Sequence, residues 1–342
     1  MPRDPILKGD SVDDEDRSVA LRPSRMDDMV GQAETIARLK IAIDAAVQRG
    51  DSLGHVLFDG PPGLGKTTFA LCMHNELSVE VELTTGAVLK APRDLVPYLT
   101  NASERSILFI DEIHRLPKAV EEYLYTAMED FRIDIILGDG VNARTHNLWL
   151  KPFTLIGATT RAGMLSGPLR DRFQIRETLG FYTDADLSEI AKRNAKKIGV
   201  EMDAGAADEI AKRSRSTPRI ANNHLLWVRD FAQSKANGVI SLQVAQDALE
   251  MMEVDERGLG KVHREYLLTL IRVFAGGPAG IESIAHTMNA SVDTLVDEVE
   301  PFLLRIGFVV RTPRGRVARS ETYRHLNLDP PPDDDQLRLF DQ

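Results

Sequence analysis

The sequence predicts an α/β domain built on a parallel sheet, then a small all-helical domain, then a winged helix. Three observations lead there. Between about residues 24 and 182, the apolar runs HVLFDG, SILFIDE and FTLIGAT alternate with amphipathic stretches. That is the pattern of buried strands separated by helices. From about 183 to 253 the periodicity is almost entirely helical. From about 256 to 328, three short helical stretches lead into FVVRTPRGRVAR, which reads as two strand fragments around a Pro-Arg-Gly turn.

The elements follow in order. PKAVEEYLYTAMED is a helix with Pro117 in its first turn and Val120, Leu124, Ala127 and Met128 on one face. Residues 131–153 read as a hairpin inserted before FTLIGAT, with Ile133, Ile135, Leu148 and Leu150 able to share one face. TDADLSEIAKRNAKKIG opens with cap-like Thr183 and Asp184 and closes near Gly199. Helices are expected in DAGAADEIAKRSR, TPRIANNHLLWVRDFAQSKANG and SLQVAQDALEMME, and then in HREYLLTLIRVFAGG and GIESIAHTMNASVDTLVDEVEPFLLRIG. The expected domains are 1–182, 183–255 and 256–328, with a Pro- and Asp-rich disordered tail at 329–342. Roughly the first 20 residues are expected to be flexible.

With 342 residues, 43% hydrophobic and 27% charged, the composition is that of a soluble globular protein of two or three domains. No apolar run approaches the roughly 20 residues of a membrane span. The acidic start, MPRDPILKGDSVDDEDRSVALRP, lacks a signal-peptide pattern. Cys72 is the only cysteine, which excludes a disulfide framework and suits a reducing cytosol. The net charge of −10 argues against nucleic acid, which favours a basic surface. The distribution is uneven, however. From 305 to 325, Arg305, Arg311, Arg314, Arg316, Arg319 and Arg324 are opposed only by Glu321.

GPPGLGKT, residues 60–67, fits G-x-x-x-x-G-K-[ST] between a strand and a helix. Glycines let backbone N–H groups converge on phosphate oxygens, and the helix start adds positive charge. Lys66 would reach the β- and γ-phosphates and Thr67 would hold Mg²⁺. SILFIDEIHRL ends a strand in Asp111 and Glu112, which would coordinate Mg²⁺ through water and activate the attacking water. Thr159 and Thr160 stand where the next strand leaves the sheet, where a hydroxyl could read the γ-phosphate or the water. His114, beside the acidic pair, is expected to be structural. The histidines are scattered without metal-ligand spacing.

At this point the chain resembles the AAA+ ATPases, and among them the bacterial motors that move Holliday junctions. LRPSRMDDMVGQ, GPPGLGKTT, LFIDEIHRL, AMEDF, TLIGATTRAG, PLRDRF, STPRIAN and RTPRGRVA carry the resemblance over almost the whole length. It implies an α/β AAA+ P-loop NTPase domain, a helical lid and a winged-helix DNA-binding domain. It also implies ATP and Mg²⁺ as cofactors and a homohexameric ring. Arg172 would be the finger that reaches a neighbour's ATP, with Arg170 as the alternative. Arg219 would touch the γ-phosphate within the same chain. Leu21, Arg22 and Tyr182 would cradle adenine, with further nucleotide contacts at Gly63, Gly65, Thr67, Thr68, Glu129, Asp130 and Phe131. Arg311 and Arg316 match DNA-contacting positions.

The same resemblance implies partners. The 131–153 hairpin would dock a junction-binding protein, and a junction resolvase would complete the assembly. The tail QLRLFD is similar to the peptide that binds bacterial sliding clamps. Two departures stand out: Gln174 where the family has glycine, and NNHLLWVRD, with Asn223, His224 and Trp227, in place of an arginine-rich stretch. The rival readings are another AAA+ machine, such as a clamp-loader subunit, or a DNA-binding scaffold that binds ATP without hydrolysing it.

Overall fold

Five parallel strands organise the first part of the chain in the computed structural model, which describes residues 21–137 and 144–330. They are β1 (Val56–Asp59), β2 (Val81–Thr85), β3 (Ile107–Asp111), β6 (Thr154–Thr159) and β7 (Ile175–Thr178), in the order β2-β3-β6-β1-β7. The three apolar runs of the sequence are the central β1, β3 and β6, covered on both faces and therefore almost wholly apolar. VELTT and IRET form the edges, and their polar composition hid them from a hydrophobicity reading.

Register brings the strand ends level. Asp59 pairs with Thr159 between β1 and β6, and Ile110 pairs with Gly157 between β3 and β6. The helices α1 (Ala33–Arg49), α2 (Lys66–Leu77), α3 (Pro92–Thr100), α4 (Lys118–Asp130) and α5 (Gly167–Asp171) belong to this unit. On α4, Val120, Leu124, Ala127 and Met128 are buried as the spacing predicts. They pack with Leu57, Leu108, Ile110, Phe153 and Phe173 in one core. Each such aliphatic side chain contributes about 1.5–3 kcal/mol on burial.

The inserted hairpin is present as β4 (Arg132–Leu137) and β5 (Arg144–Trp149), antiparallel, with Ile133 opposite Leu148. Its expected apolar face is divided. Ile133 and Leu150 join the unit's own core and Ile135 packs against it, whereas Leu148 is 39% exposed. Trp149, on the other face, is 72% exposed with the Arg132 guanidinium 5.9 Å from its ring.

Packing divides the chain into two compact units, and the short segment Thr217–Asn223 belongs to the first of them. The second contains Ala204–Lys212, the later part of Pro218–Lys235, and Leu242–Met251. Their alanine-rich faces close around Ile210, Leu225, Val228 and Leu249. It also contains Lys261–Arg272, Ile281–Met288 and a long helical run from Val292 to Arg305. Leu295–Val299 is wound as a π-helix just before Pro301, which has no N–H to continue the ladder. The hairpin β8 (Val309–Thr312) and β9 (Gly315–Ala318) pairs Arg311 with Arg316. A further helix, Ser320–His325, was not anticipated. The first 20 residues and those from 331 on, including QLRLFD, lie outside the described residues.

Candidate nucleotide site and winged-helix arginines

The loop from Gly60 to Gly65 turns directly from β1 into α2. Gly60 has φ 140°, and a Cβ there would meet the Leu179 carbonyl oxygen at 2.6 Å. Gly65 takes left-handed backbone as the N-cap of α2 and offers no side-chain cap, so the first N–H groups of the helix are directed at the loop. Lys66 is buried, with Nζ donating to the carbonyls of Gly60 at 2.7 Å and Pro61 at 2.9 Å. A buried ammonium at an uncapped helix start is a site for a polyanion. The oxygens of Thr67 and Asp111 are the hard donors that Mg²⁺ requires. The residues present therefore fit a magnesium nucleotide.

Asp111 ends β3, and its Oδ1 accepts the Glu112 N–H at 2.9 Å. Glu112 then bends the chain with φ 48° into the single turn Ile113–Arg115. Thr159 ends β6, fully buried. Its Oγ1 lies 2.9 Å from His114 Nδ1 and accepts the Arg161 N–H at 2.9 Å. That hydroxyl is committed within the protein. The neighbouring Thr160 Oγ1 is buried without a hydrogen-bond partner among the described residues.

Arg219 lies in the segment that packs with the first unit, and its N–H approaches the Gly63 carbonyl at 3.4 Å. A Cβ on Gly63 would meet Thr217 at 2.7 Å and Arg219 at 3.0 Å, so only glycine permits this approach. Tyr182 is buried and donates to the Leu64 carbonyl at 3.3 Å; burial pushes its phenol up to about 12. Leu21 is buried and Arg22 exposed. Thr67 and Thr68 are half-buried in the first turn of α2.

Arg172 lies elsewhere in the unit. Its guanidinium pairs with Glu129 Oε2 at 2.9 Å, donates to the Pro168 carbonyl at 2.8 Å and stands 4.5 Å from the Tyr125 ring centroid. Phe131 follows Glu129 and exposed Asp130 with φ 48°; its ring lies against Phe153 and His55. Gln174 Oε1 accepts the His55 N–H at 2.6 Å, just before β1.

In the second unit, Glu300 is fully buried and takes up two of the wing arginines, Arg311 and Arg316. Arg316 Nε donates to Oε1 at 2.7 Å, Arg311 Nε to Oε2 at 2.9 Å, and the Tyr266 hydroxyl to Oε1 at 2.7 Å. Burial alone would raise this carboxyl, but the bonds from Arg316, Tyr266 and Arg311 outweigh it and hold it below its usual range. The basic patch therefore carries an internal counter-charge from five residues outside the window in which the arginines cluster. Arg314, at the turn, is exposed.

These arrangements have counterparts among known proteins. Residues 21–179 match the family described as Holliday junction DNA helicase RuvB P-loop domain, 182–255 the RuvB AAA lid domain, and 256–327 the RuvB C-terminal winged helix domain. The chain belongs to the RuvB family. Among RuvB proteins, the Holliday junction branch migration complex subunit of Rhodopirellula baltica is 64% identical over 316 residues, 92% of this chain and 86% of that one. The Myxococcus xanthus subunit is 50% identical over 92% of this chain and 91% of its own. The solved structure of the Thermotoga maritima RuvB Holliday junction branch migration motor superposes with a TM-score of 0.84 at 43% identity, covering 91% of this chain and all of that one. RuvB proteins are AAA+ P-loop ATPases, and the fold of this chain is theirs.

Sequence reasoning missed three features of this RuvB-family chain. The Glu300 clamp draws on a partner 34 positions away in sequence. His114 bridges two strand ends, and exposed Trp149 lies on the hairpin. Only the last left a local signal, an aromatic residue out of phase with the apolar face. Among the described residues, no helix is long and apolar enough to cross a membrane.

Proposed function

We propose that this chain is an ATP-driven motor subunit that works in the cytosol as a homohexameric ring on duplex DNA and moves Holliday junctions in recombination and repair. Its domains would be the ATPase at 1–182, the lid at 183–255 and the winged helix at 256–328. The observation that carries the reading is buried Lys66, bonded to the Gly60 and Pro61 carbonyls of the loop, with the Arg219 N–H 3.4 Å from the Gly63 carbonyl, while Arg172 bonds to Glu129 and Pro168 instead. An arginine committed away from its own loop suits action on a neighbour's.

The roles follow from chemistry. Gly63, Gly65, Lys66, Thr67 and Thr68 bind the phosphates of ATP, with Leu21, Arg22 and Tyr182 about the base. Bound Mg²⁺ supplies charge neutralisation across the β- and γ-phosphates; Thr67 and, through water, Asp111 would hold it. Glu112 orients the attacking water. Of the two candidate γ-phosphate readers, Thr159 has its hydroxyl engaged by His114 and Arg161, so Thr160 is the better candidate. Arg219 senses the γ-phosphate in the same chain. Arg172, paired with Glu129, would complete the pocket of the adjacent subunit together with Asp130 and Phe131. Such a finger is worth around 10³–10⁵ in rate in other NTPases.

Arg311 and Arg316 contact the DNA backbone without sequence preference, as translocation requires. The β4–β5 hairpin, with Leu148 and Trp149 exposed, docks the junction-binding protein RuvA, and the resolvase RuvC acts on the same junction. The QLRLFD tail is a candidate ligand for the sliding clamp. The test is a synthetic four-way junction and a linear duplex, incubated with the chain, ATP and Mg²⁺, with and without RuvA. Junction movement that needs ATP and rises with RuvA is expected. Hydrolysis without movement would indicate a different AAA+ machine, and no hydrolysis would indicate a scaffold.

A further inference from the structure

Two adjacent strands meet at one imidazole. His114 Nδ1 lies 2.9 Å from Thr159 Oγ1 at the end of β6, and Nε2 lies 3.3 Å from Glu112 Oε2 just past the end of β3. Only 5% of the side chain is exposed. The local backbone explains the position. Glu112 takes the left-handed region, and the turn Ile113–Arg115 is pinned by fully buried Ile113, which brings His114 back over the gap between β3 and β6. A non-glycine residue persists in that region only where its surroundings enforce it, and such positions gather at functional sites.

The proton positions follow from the partners. Thr159 Oγ1 already accepts the Arg161 N–H, so its own proton is available to His114 Nδ1. An ionised carboxylate can only accept, so Nε2 carries a proton directed at Glu112. A chain of polar groups therefore runs from the end of β6 through the imidazole to the carboxylate. Thr160, whose hydroxyl is unpartnered, is the next residue along that strand end.

We propose that His114 is a positioning residue for ATP hydrolysis: it holds the Glu112 carboxylate in register with the end of β6, so that the γ-phosphate-reading strand and the group acting on water move together. The proposal rests on Glu112 acting on the attacking water. It assigns a dynamic task to a histidine whose position beside the acidic pair suggested packing alone.

Three variants of the full-length chain separate the two contacts. His114→Gln keeps an amide N–H near Nε2 for Glu112 but offers Thr159 nothing. His114→Asn keeps an acceptor near Nδ1 but is too short to reach Glu112. His114→Leu keeps neither. Steady-state ATPase, ATP affinity and Tm are measured for each. The expected result is a fall in kcat of about tenfold or more for Asn and Leu, with KM, ATP affinity and Tm unchanged, and recovery of a large part of kcat with Gln.

A kcat within twofold of wild type for all three overturns the proposal. So does a loss shared with ATP affinity or Tm, which marks a packing role, and so does a Gln variant as slow as Leu. If the wild-type chain hydrolyses no ATP, the proposed function fails, and this inference fails with it. Wild-type turnover with indifferent His114 variants removes this inference alone.

Discussion

Arg316 donates its Nε–H to Glu300 Oε1 at 2.7 Å, and that carboxylate is fully buried beneath the wing. The contact ties β9 to the helix that precedes the hairpin. It also neutralises part of the patch proposed to meet DNA. Arg316 is 18% exposed and Arg311, on the same carboxylate, 47%. Removing the carboxylate would leave one guanidinium largely buried and unpaired. Glu300→Ala is therefore expected to destabilise the winged helix by about 3 kcal/mol. Urea unfolding followed by circular dichroism checks this; a change below about 0.5 kcal/mol would contradict it.

The exposure difference separates the two arginines in DNA binding. Arg311→Ala should weaken duplex binding equally across sequences and reduce the slope of log K against log salt by about 0.9, one phosphate contact. Both substitutions take a bond from buried Glu300, and Arg316→Ala should lower stability more, because Arg316 is the less exposed partner. Anisotropy titrations over a salt series, read beside thermal melts, distinguish the two.

Arg172→Ala should retain ATP binding and lose hydrolysis by around 10³-fold. Lys66→Ala should lose productive binding of the phosphates. A mixture of the two inactive variants should regain ATPase activity, since a Lys66→Ala copy can offer its Arg172 to the intact loop of an Arg172→Ala copy. Mixtures no more active than either variant would place the action of Arg172 within its own chain.

Two histidines set a pH dependence. Burial, with Arg215 and Arg213 nearby, depresses His224 to about 3; burial, with Arg215, depresses His263 to about 3. Both are neutral when folded, while the unfolded chain protonates them near 6.5. The unfolded state thus binds more protons below that value. Stability is complete above about 6.5 and falls as the pH drops toward 3, with a slope of up to about 2.7 kcal/mol per unit from the pair. Denaturation midpoints between pH 8 and 4 read the effect, and His224→Leu should flatten it.

Gln174→Gly should cost about 1 kcal/mol, because the His55 N–H loses its acceptor at the entry to β1. Gln174 thus has a local structural role at the entry to β1. Unfolding midpoints measure the loss; an unchanged midpoint would mean that solvent replaces the amide.

The strands β1, β3 and β6, the phosphate loop, the acidic pair and the helix faces were legible because each is written in neighbouring residues. A strand buried on both faces is a continuous apolar run, and a helix face repeats every three or four positions. Edge strands β2 and β7 were not legible, since half their surroundings are solvent and their residues are correspondingly polar. Ser320–His325 was hidden because its few turns carry little apolar periodicity.

The sequence by itself determined the order of the elements, the residue types of the phosphate site and the existence of an arginine-rich wing. Tertiary structure alone decided which groups meet. It took Thr159 for His114 and left Thr160 unpartnered, joined Arg172 to Glu129, and set Glu300 under Arg311 and Arg316. The physical reason is range. Backbone preference and periodicity act over a few residues, whereas a buried charge or hydroxyl takes its partner from whichever distant segment the packing delivers.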